Sequence, residues 1–186
     1  MLFRSDPLTP GAGFEFTEQV IGGAVPKQFI PAVEAGLHEA MTNGPLSGSP
    51  IVDVRVTLLG GSAHAVDSSE MAFKTAAGHA LKEAVLEARP ALLEPIMALT
   101  IEVPSDRLGD LMGDITSRRG SVQSVDALGE KSVVHAQAPL ATVQRYASDL
   151  RALSGGRGSF DIRFDHYAAV PANEQEKVLA ARASTR

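Results

Sequence analysis

Apolar residues recur along this chain with two periods, and the switches between them mark out the elements. From Ile51 to Leu59, Val52, Val54, Val56 and Leu58 alternate with Asp53, Arg55 and Thr57, the period of a half-buried strand. Ile30, Val33, Leu37 and Met41 fall at helical spacing instead and give one apolar stripe. Pro26 and Pro31 punctuate the entry to that helix, and Asn43-Gly44 is a stop signal at its end. Upstream, Phe14 to Val25 reads as a strand that breaks at Gly22-Gly23. Downstream, Gly60-Gly61-Ser62-Ala63-His64-Ala65 is a loop, followed by a second helix. Its apolar side holds Ala72, Phe73, Ala76, Ala77, Ala80, Leu81, Ala84 and Val85, and so many alanines predict close packing against a neighbour. Asp67, with Glu70 three residues on, is a capping-box arrangement for its start. This helix ends before Pro90.

A boundary follows near Arg89 to Pro95. Beyond it, Ile96 to Val103 is a strand, and Pro104-Ser105 opens a helix with Leu108, Leu111, Met112 and Ile115 inward. Ser121 to Leu128 and Ser132 to Ala138 form a hairpin around Gly129-Glu130. Pro139 starts a helix with Leu140, Val143, Ala147 and Leu150 inward, and Phe160, Ile162, Phe164 and His166 share one face of a last strand. The order is βαββαβ, the ferredoxin-like split βαβ motif. Ala172 to Arg186 has a weak helical pattern and reads as a loosely attached tail. The predicted fold class is α+β, two small α/β sandwich domains over 1–92 and 93–171, with a C-terminal tail over 172–186.

Composition narrows the class. The 186 residues suit one large domain or two small ones, and 44% hydrophobic with 21% charged residues is an ordinary soluble balance. The absence of cysteine excludes disulfides and thiolate metal sites and makes the cytoplasm the natural compartment. No apolar run approaches the ~20 residues that span a bilayer. Met1 to Pro10 carries Arg4 and Asp6 and is no signal peptide. A formal net charge of -5 excludes simple phosphate neutralisation by the whole surface. RNA contact then falls to local basic spots; the plainer reading of the acidity is solubility.

The sequence holds no G-x-x-x-x-G-K-[ST] run, so it has no phosphate-binding loop of that kind. Gly155-Gly156-Arg157-Gly158 lies between a helix and a strand and does not open a helix, so it lacks the amide cradle of a phosphate site. It is either a tight turn or a small loop that presents Arg157 to RNA. His64, Asp67, Ser68 and Ser69 are triad ingredients, but they are nearly contiguous around a helix start and assemble no nucleophile, base and orienting acid. His64 sits at an exposed loop tip, where function concentrates. His38 and His79 have no i+4 partner, His135 is in a strand, and Asp165 and His166 point to opposite faces of a strand, so no metal set forms. Ser117-Arg118-Arg119-Gly120 ends a helix. Either the arginines complement its dipole while Gly120 gives a left-handed cap, or the pair is aimed at a phosphate or a base plane.

The run from Gly60 to Lys74 (GGSAHAVDSSEMAFK) closely resembles the fourth domain of elongation factor G, the translocation GTPase. The resemblance continues at Gly13-Phe14-Glu15-Phe16 through Gly22-Gly23 and Pro26-Lys27, at Leu93-Glu94-Pro95-Ile96-Met97, and at Gly113-Asp114 with Ser117-Arg118-Arg119-Gly120. Gly156-Arg157-Gly158-Ser159-Phe160 and Phe164-Asp165-His166-Tyr167 extend it over residues 11 to 171. It implies a fourth domain up to residue 92, of ribosomal protein S5 domain 2-like fold, incomplete because the family's first strand and glycine-rich loop precede the position of Met1 and leave a sheet edge open. From residue 93 it implies the ferredoxin-like fifth domain, near the GTPase-associated ribosomal RNA. His64 matches the histidine at the tip that enters the decoding centre beside tRNA and mRNA, so the implied tip is Gly61, Ser62, Ala63, His64 and Ala65. Ala63 and Ala65 depart from the commoner pattern of an aromatic before the histidine and often an aspartate after it.

The implied function is promotion of tRNA–mRNA translocation, with Arg118, Arg119 and Arg157 as ribosomal RNA contacts. No catalytic residue, metal or cofactor is implied in this chain; GTP and Mg belong to the GTPase, second and third domains of the parent. The implied partners are the ribosome, its RNA, tRNA–mRNA and those GTPase domains, with no membrane and no DNA, in the cytoplasm. An acidic domain standing in the place of a tRNA stem carries the same sign of charge as the RNA it replaces. Two alternatives remain. The altered tip permits a paralogue acting in ribosome recycling, ribosome protection or regulation, and the fold alone permits a stand-alone ferredoxin-like ligand-sensing or dimerisation module.

Overall fold

Asp53 sets where the first sheet begins. It takes a left-handed backbone conformation (φ 57°), its carboxylate accepts the Gly13 amide at 2.9 Å, and its carbonyl accepts the Leu8 amide at 2.8 Å. The strand expected from Ile51 therefore starts late, as β3, Val54–Gly60, and Val52 is half exposed. In the computed structural model, which describes residues 1–64 and 66–183, β3 is the centre of a three-stranded sheet. β1, Leu2–Pro7, pairs with it antiparallel and β2, Phe14–Glu18, pairs with it parallel. β1 was not among the expected elements. β2 is shorter than expected, its pairing with β3 ending at Glu18; beyond Gly22 and Gly23, both at φ 69°, Val25 turns into the core. Thr57 is buried on this sheet, and its hydroxyl is satisfied by that of Thr17, its register partner, at 2.9 Å.

Two helices cover the sheet. α1, Ile30–Thr42, follows a single turn at Lys27–Phe29, and α2, Glu70–Glu87, follows β3. Val33, Leu37 and Met41 of α1 are buried as expected. On α2 only Phe73, Ala77 and Leu81, four residues apart, are buried; Ala72 and Ala76 face outward. Close packing comes from Gly36, where a Cβ would collide with the Lys74 carbonyl of α2. The Phe29 and Phe73 rings stack at 4.7 Å between centroids. α2 is capped by Ser69, whose Oγ accepts the Ala72 amide at 3.1 Å, and not by Asp67. The segment expected as a loose tail forms a helix, α6, Ala172–Ala183, that groups with residues Met1–Ala91. There Arg182 donates to the Ser47 carbonyl at 2.6 Å and the Ser49 hydroxyl at 3.1 Å.

The second unit, Leu92–Pro171, is the four-stranded antiparallel sheet of a ferredoxin-like βαββαβ fold, in the order β5-β6-β4-β7. Its strands are β4 (Leu93–Pro104), β5 (Ser121–Leu128), β6 (Lys131–Pro139) and β7 (Ser159–Ala169). α3, Leu108–Ser117, and the interrupted pair α4, Leu140–Val143, and α5, Tyr146–Leu153, cover one face. Leu99, Ile101, Val103, Leu111, Ile115, Val134, Val143, Tyr146 and Leu150 form the core. Three inward assignments are corrected. Met112 is 41% exposed, at the rim of the α3 stripe. The break between α4 and α5 shifts the helical phase, so Tyr146 is buried in place of Ala147. β7 bulges where Ile96 and Met97 face His166 and Phe164, so alternation fails after Ile162 and Phe164 is 55% exposed, against Tyr167.

Gly36 carries the tightest helix contact, and Gly78, across the same crossing, has ordinary van der Waals room for a methyl group. Gly36→Ala is expected to destabilise the first unit by about 2 kcal/mol through overpacking, whereas Gly78→Ala is expected to be neutral or to gain up to about 1 kcal/mol from helix propensity. Thermal unfolding of the two variants, followed by circular dichroism, checks the opposite signs.

Candidate functional site

The parallel pairing of β2 with β3 decides what gathers at one end of the first unit. Both following loops, 19–26 and 61–69, leave the sheet at the same end, and antiparallel β1 begins there, with Leu2 opposite Gly60. Gly61 is the meeting point: a Cβ there would lie 2.8 Å from Val25 Cγ2 and 3.5 Å from Met1 Sδ. Ser62, Ala63 and His64 continue outward and are exposed. His64 is held through its backbone. Its amide donates to Ser68 Oγ at 2.8 Å, and the Ser68 amide donates to the His64 carbonyl at 3.1 Å. Two bonds to one serine fix the peptide while the imidazole stays exposed. The Ser68 hydroxyl serves as a backbone acceptor, not as a nucleophile set against His64. Ala65 lies outside the described residues.

Loop 19–26 was not singled out from the sequence as part of this end. Its signal was Gly22-Gly23 just before Pro26, but the link depended on parallel pairing with β3, which periodicity does not reveal. Ile21 (88%) and Val66 (93%) are the most exposed large hydrophobic residues described, one on each loop. The two loops hold Asp67 and no lysine or arginine. This end therefore offers amides, hydroxyls, one imidazole and bare aliphatic side chains. It suits contact by shape in place of phosphate neutralisation. Elsewhere in the unit, the open groove between α1 and α2 is lined by Pro31, Ala35, Met71 and Lys74. Lys74 pairs with Glu39 at 2.6 Å and, by hydrogen bond and charge, holds that carboxyl below its ordinary range.

The arginines of the second unit do not come together. Arg118 Nε donates to both oxygens of Asp114 (3.1 and 2.9 Å), Nη1 to the Thr142 carbonyl (2.9 Å) and Nη2 to Asp149 (2.9 Å). Its guanidinium also lies 5.2 Å from the centroid of the buried Tyr146 ring. The hydrogen bond to Asp114 leads in holding its pKa above the ordinary arginine value. Burial pushes the Tyr146 hydroxyl pKa up. Arg119 makes a fork to Glu94, at 2.7 and 2.8 Å. It is Arg119, at φ 61°, that supplies the left-handed cap of α3, and not Gly120. The Gly120 amide instead reaches back to the Ile115 carbonyl at 2.9 Å, where a Cβ would collide with Ile115 and the Gln137 carbonyl. Arg157 lies at the other end of the sheet. Glu94 and Glu102 bracket β4, and Ser159, just after Arg157, pairs with Glu102, so eight steps of ~3.3 Å put on the order of 25 Å between the two sites.

The histidines make no metal set. Among the described residues no group of three or more His, Cys, Asp or Glu could hold an ion. His38 packs edge-on against Phe14 at 4.7 Å. His135 lies 3.3 Å from Thr100 Oγ1 and 3.5 Å from Asp126. Asp165 and His166, expected on opposite faces, meet at 2.8 Å because of the bulge in β7.

Residues 2–89 match the family model described as elongation factor G, domain IV, and residues 91–178 match the one described as elongation factor G C-terminus. The chain is also similar to a crystal structure of a protein from Thermus thermophilus, with a TM-score of 0.83 and 38% sequence identity. The alignment covers 98% of this chain and 27% of that one, so this chain spans about a quarter of its length.

Arg118 joins α3, the end of α4 and α5 through one side chain. Arg118→Ala is expected to destabilise the second unit by about 2 kcal/mol, since it removes the charged partner of the partly buried Asp114, the Thr142 carbonyl bond and the contact with the Tyr146 ring. Arg118→Lys is expected to recover less than half of that, because an ammonium cannot reproduce the fork. Tyr146→Phe is expected to be nearly neutral, because the hydroxyl has no protein partner while the ring contacts remain. Urea denaturation midpoints of the three variants check the ranking.

Proposed function

The chain belongs to the elongation factor G family and carries its domain IV and its C-terminus, and from that premise we propose that it is the ribosome-facing end of a translational GTPase that promotes movement of tRNA and mRNA. Neither matched model is the GTPase domain, and no phosphate-binding loop occurs in the sequence. GTP and its magnesium then belong to other parts of the parent protein, and the chain works by contact. The proposed place of action is the cytoplasmic ribosome. Among the described residues no helix is long and apolar enough to cross a membrane.

The observation that carries the proposal is the exposed His64, its peptide clamped by Ser68 at the end of the sheet where three segments converge. A loop fixed by two hydrogen bonds to Ser68, one through its hydroxyl and one through its amide, and by a close Gly61 contact can push against an RNA surface without collapsing. Its lack of lysine and arginine suits a group that displaces or follows a tRNA–mRNA duplex and then lets go, because strong phosphate binding would hold it in place. Ser62, Ala63 and Ala65 complete the proposed tip, and Ile21 with Gly22-Gly23 is added to it from the neighbouring loop.

In the full-length parent protein, His64→Ala is expected to slow single-round translocation at least tenfold while ribosome-stimulated GTP hydrolysis stays within about twofold, since ~1.4 kcal/mol lost at the tip is a factor of ten. Ser68→Ala is expected to give a smaller loss in the same direction. Equal losses of translocation and hydrolysis would refute a role confined to the tip.

A further inference from the structure

β7 is an edge of its sheet: in the order β5-β6-β4-β7 it pairs with β4 on one side, and among the described residues no strand takes the other. Which of its backbone groups face outward follows from the register. Leu128 and Lys131 flank the two-residue turn at Gly129-Glu130 and so exchange both of their bonds. Alternation then directs Val134, Ala136 and Ala138 to β4, where they meet Ile101, Leu99 and Met97. The β4 residues in between, Glu102, Thr100 and Ala98, turn to β7 and meet Ser159, Asp161 and Arg163. Leu92 keeps the same alternation, since its carbonyl accepts the Val170 amide at 2.8 Å. The amides and carbonyls that remain for the open side are those of Phe160, Ile162 and Phe164.

The segment that carries these groups is complementary to itself. It reads Phe160-Asp161-Ile162-Arg163-Phe164. Turned end for end about Ile162, as an antiparallel neighbour is, it sets each Asp161 opposite the other copy's Arg163 and each Phe160 opposite the other copy's Phe164. The two Ile162 residues exchange both bonds, and Phe160 and Phe164 exchange theirs crosswise. Asp161 and Arg163 then face each other as non-hydrogen-bonded pairs, where side chains come closest. Moving the axis by one residue would set Asp161 or Arg163 against its own like charge, so charge fixes the register. In the single chain Arg163 pairs with Asp161 along its own strand at 2.7 Å, and the two side chains stay 81% and 59% accessible. Phe160 and Ile162 pack against the core, but Phe164 on the same side is 55% exposed. A partner strand on the open edge would cover that ring. The bulge after Phe164 ends the regular pairing where the self-complementary run ends.

We propose that two copies of this chain pair antiparallel along their β7 edges, with the two-fold axis at Ile162, and make one sheet continuous across both copies. The proposal does not rest on the ribosome-facing reading above. So short a strand pair buries less than a standard interface, and a dissociation constant on the order of 10–100 μM is expected.

The test is sedimentation equilibrium of the 186-residue chain from about 1 μM to about 1 mM, a range that brackets that constant. The wild type is expected to pass from monomer to dimer, with hydrogen exchange at the Phe160, Ile162 and Phe164 amides slowing as it does. Arg163→Asp alone and Asp161→Arg alone each turn both opposed pairs into like charges, and each is expected to weaken dimerisation by about tenfold. Mixed in equal amounts, the two variants again place opposite charges across the axis and are expected to regain about the wild-type affinity. Both side chains are exposed, so unchanged thermal unfolding of the dilute variants separates lost association from lost fold. A chain that stays monomeric over the whole range overturns the inference; if the three amides are then protected in the full-length parent, another segment of that parent occupies the edge. Dimers that survive both single exchanges, or a mixture that does not restore them, overturn it in favour of a different contact surface.

Discussion

The helical layer of the second unit is interrupted where α3 ends at Ser117 and again between Val143 and Tyr146, and Arg118 spans both interruptions. One guanidinium reaches a carboxylate on α3, a carbonyl at the end of α4 and a carboxylate on α5, and it lies over the ring that starts α5. Hydrogen bonds to charged groups contribute about 1.5–3 kcal/mol each when shielded. Partial exposure reduces that here, as the side chain is 21% accessible. What solvent does not remove is the geometry. Only a planar fork reaches these three directions at once, so the helix break and the burial of Tyr146 depend on arginine at this position.

The same contact decides the outer charge. By drawing Asp149 toward α3, Arg118 leaves α5 with cations and no acid to balance them. Arg119, Lys131 and Arg163 are likewise taken by Glu94, Glu102 and Asp161. The first unit follows a different logic. Its loops carry almost no charge where they converge, and the fold contributes position instead: parallel strands that deliver two loops to one place, a glycine contact that joins them, and a serine that fixes the histidine peptide.

Much of this was legible in the sequence. The β5–β6 hairpin around Gly129-Glu130, the α1 stripe and the βαββαβ order follow from period and turn chemistry, which are local. The errors came where a nonlocal contact overrode a local pattern. Asp53 looked like a polar position within a strand until its long-range bonds to Gly13 and Leu8 made it a turn. Asp67 was a suitable cap by spacing, but Ser69 immediately precedes the start that packing fixes for α2. Phe164 and His166 kept perfect alternation on paper and lost it to a bulge that needs a partner strand to exist. The exposure of His64 was readable from its place in a loop, whereas the neighbouring loop 19–26 was not, because strand order is invisible to periodicity. The arginine pair at 118 and 119 was ambiguous for the same reason: nothing within Ser117 to Gly120 says that Glu94, Thr142 and Asp149 lie around it.

Net charge describes a molecule only from afar, and distance shows why it says little about any one face. At physiological ionic strength a charge is felt over about 8 Å. Glu102, Asp126, Asp161 and Asp165 belong to β4, β5 and β7, and those that take ion pairs or hydrogen bonds do so with Lys131, His135, Arg163 and Gln137 on the sheet. A helix layer of about 10 Å and the sheet beneath it separate such groups from the outer side of α5. Across that thickness these sheet acids do not cancel Arg145 and Arg151. The sum of -5 therefore describes the far field, while close contact is governed by which cations lack an internal partner. An acidic total with a few exposed arginines lets the far field and the local field at one face differ in sign.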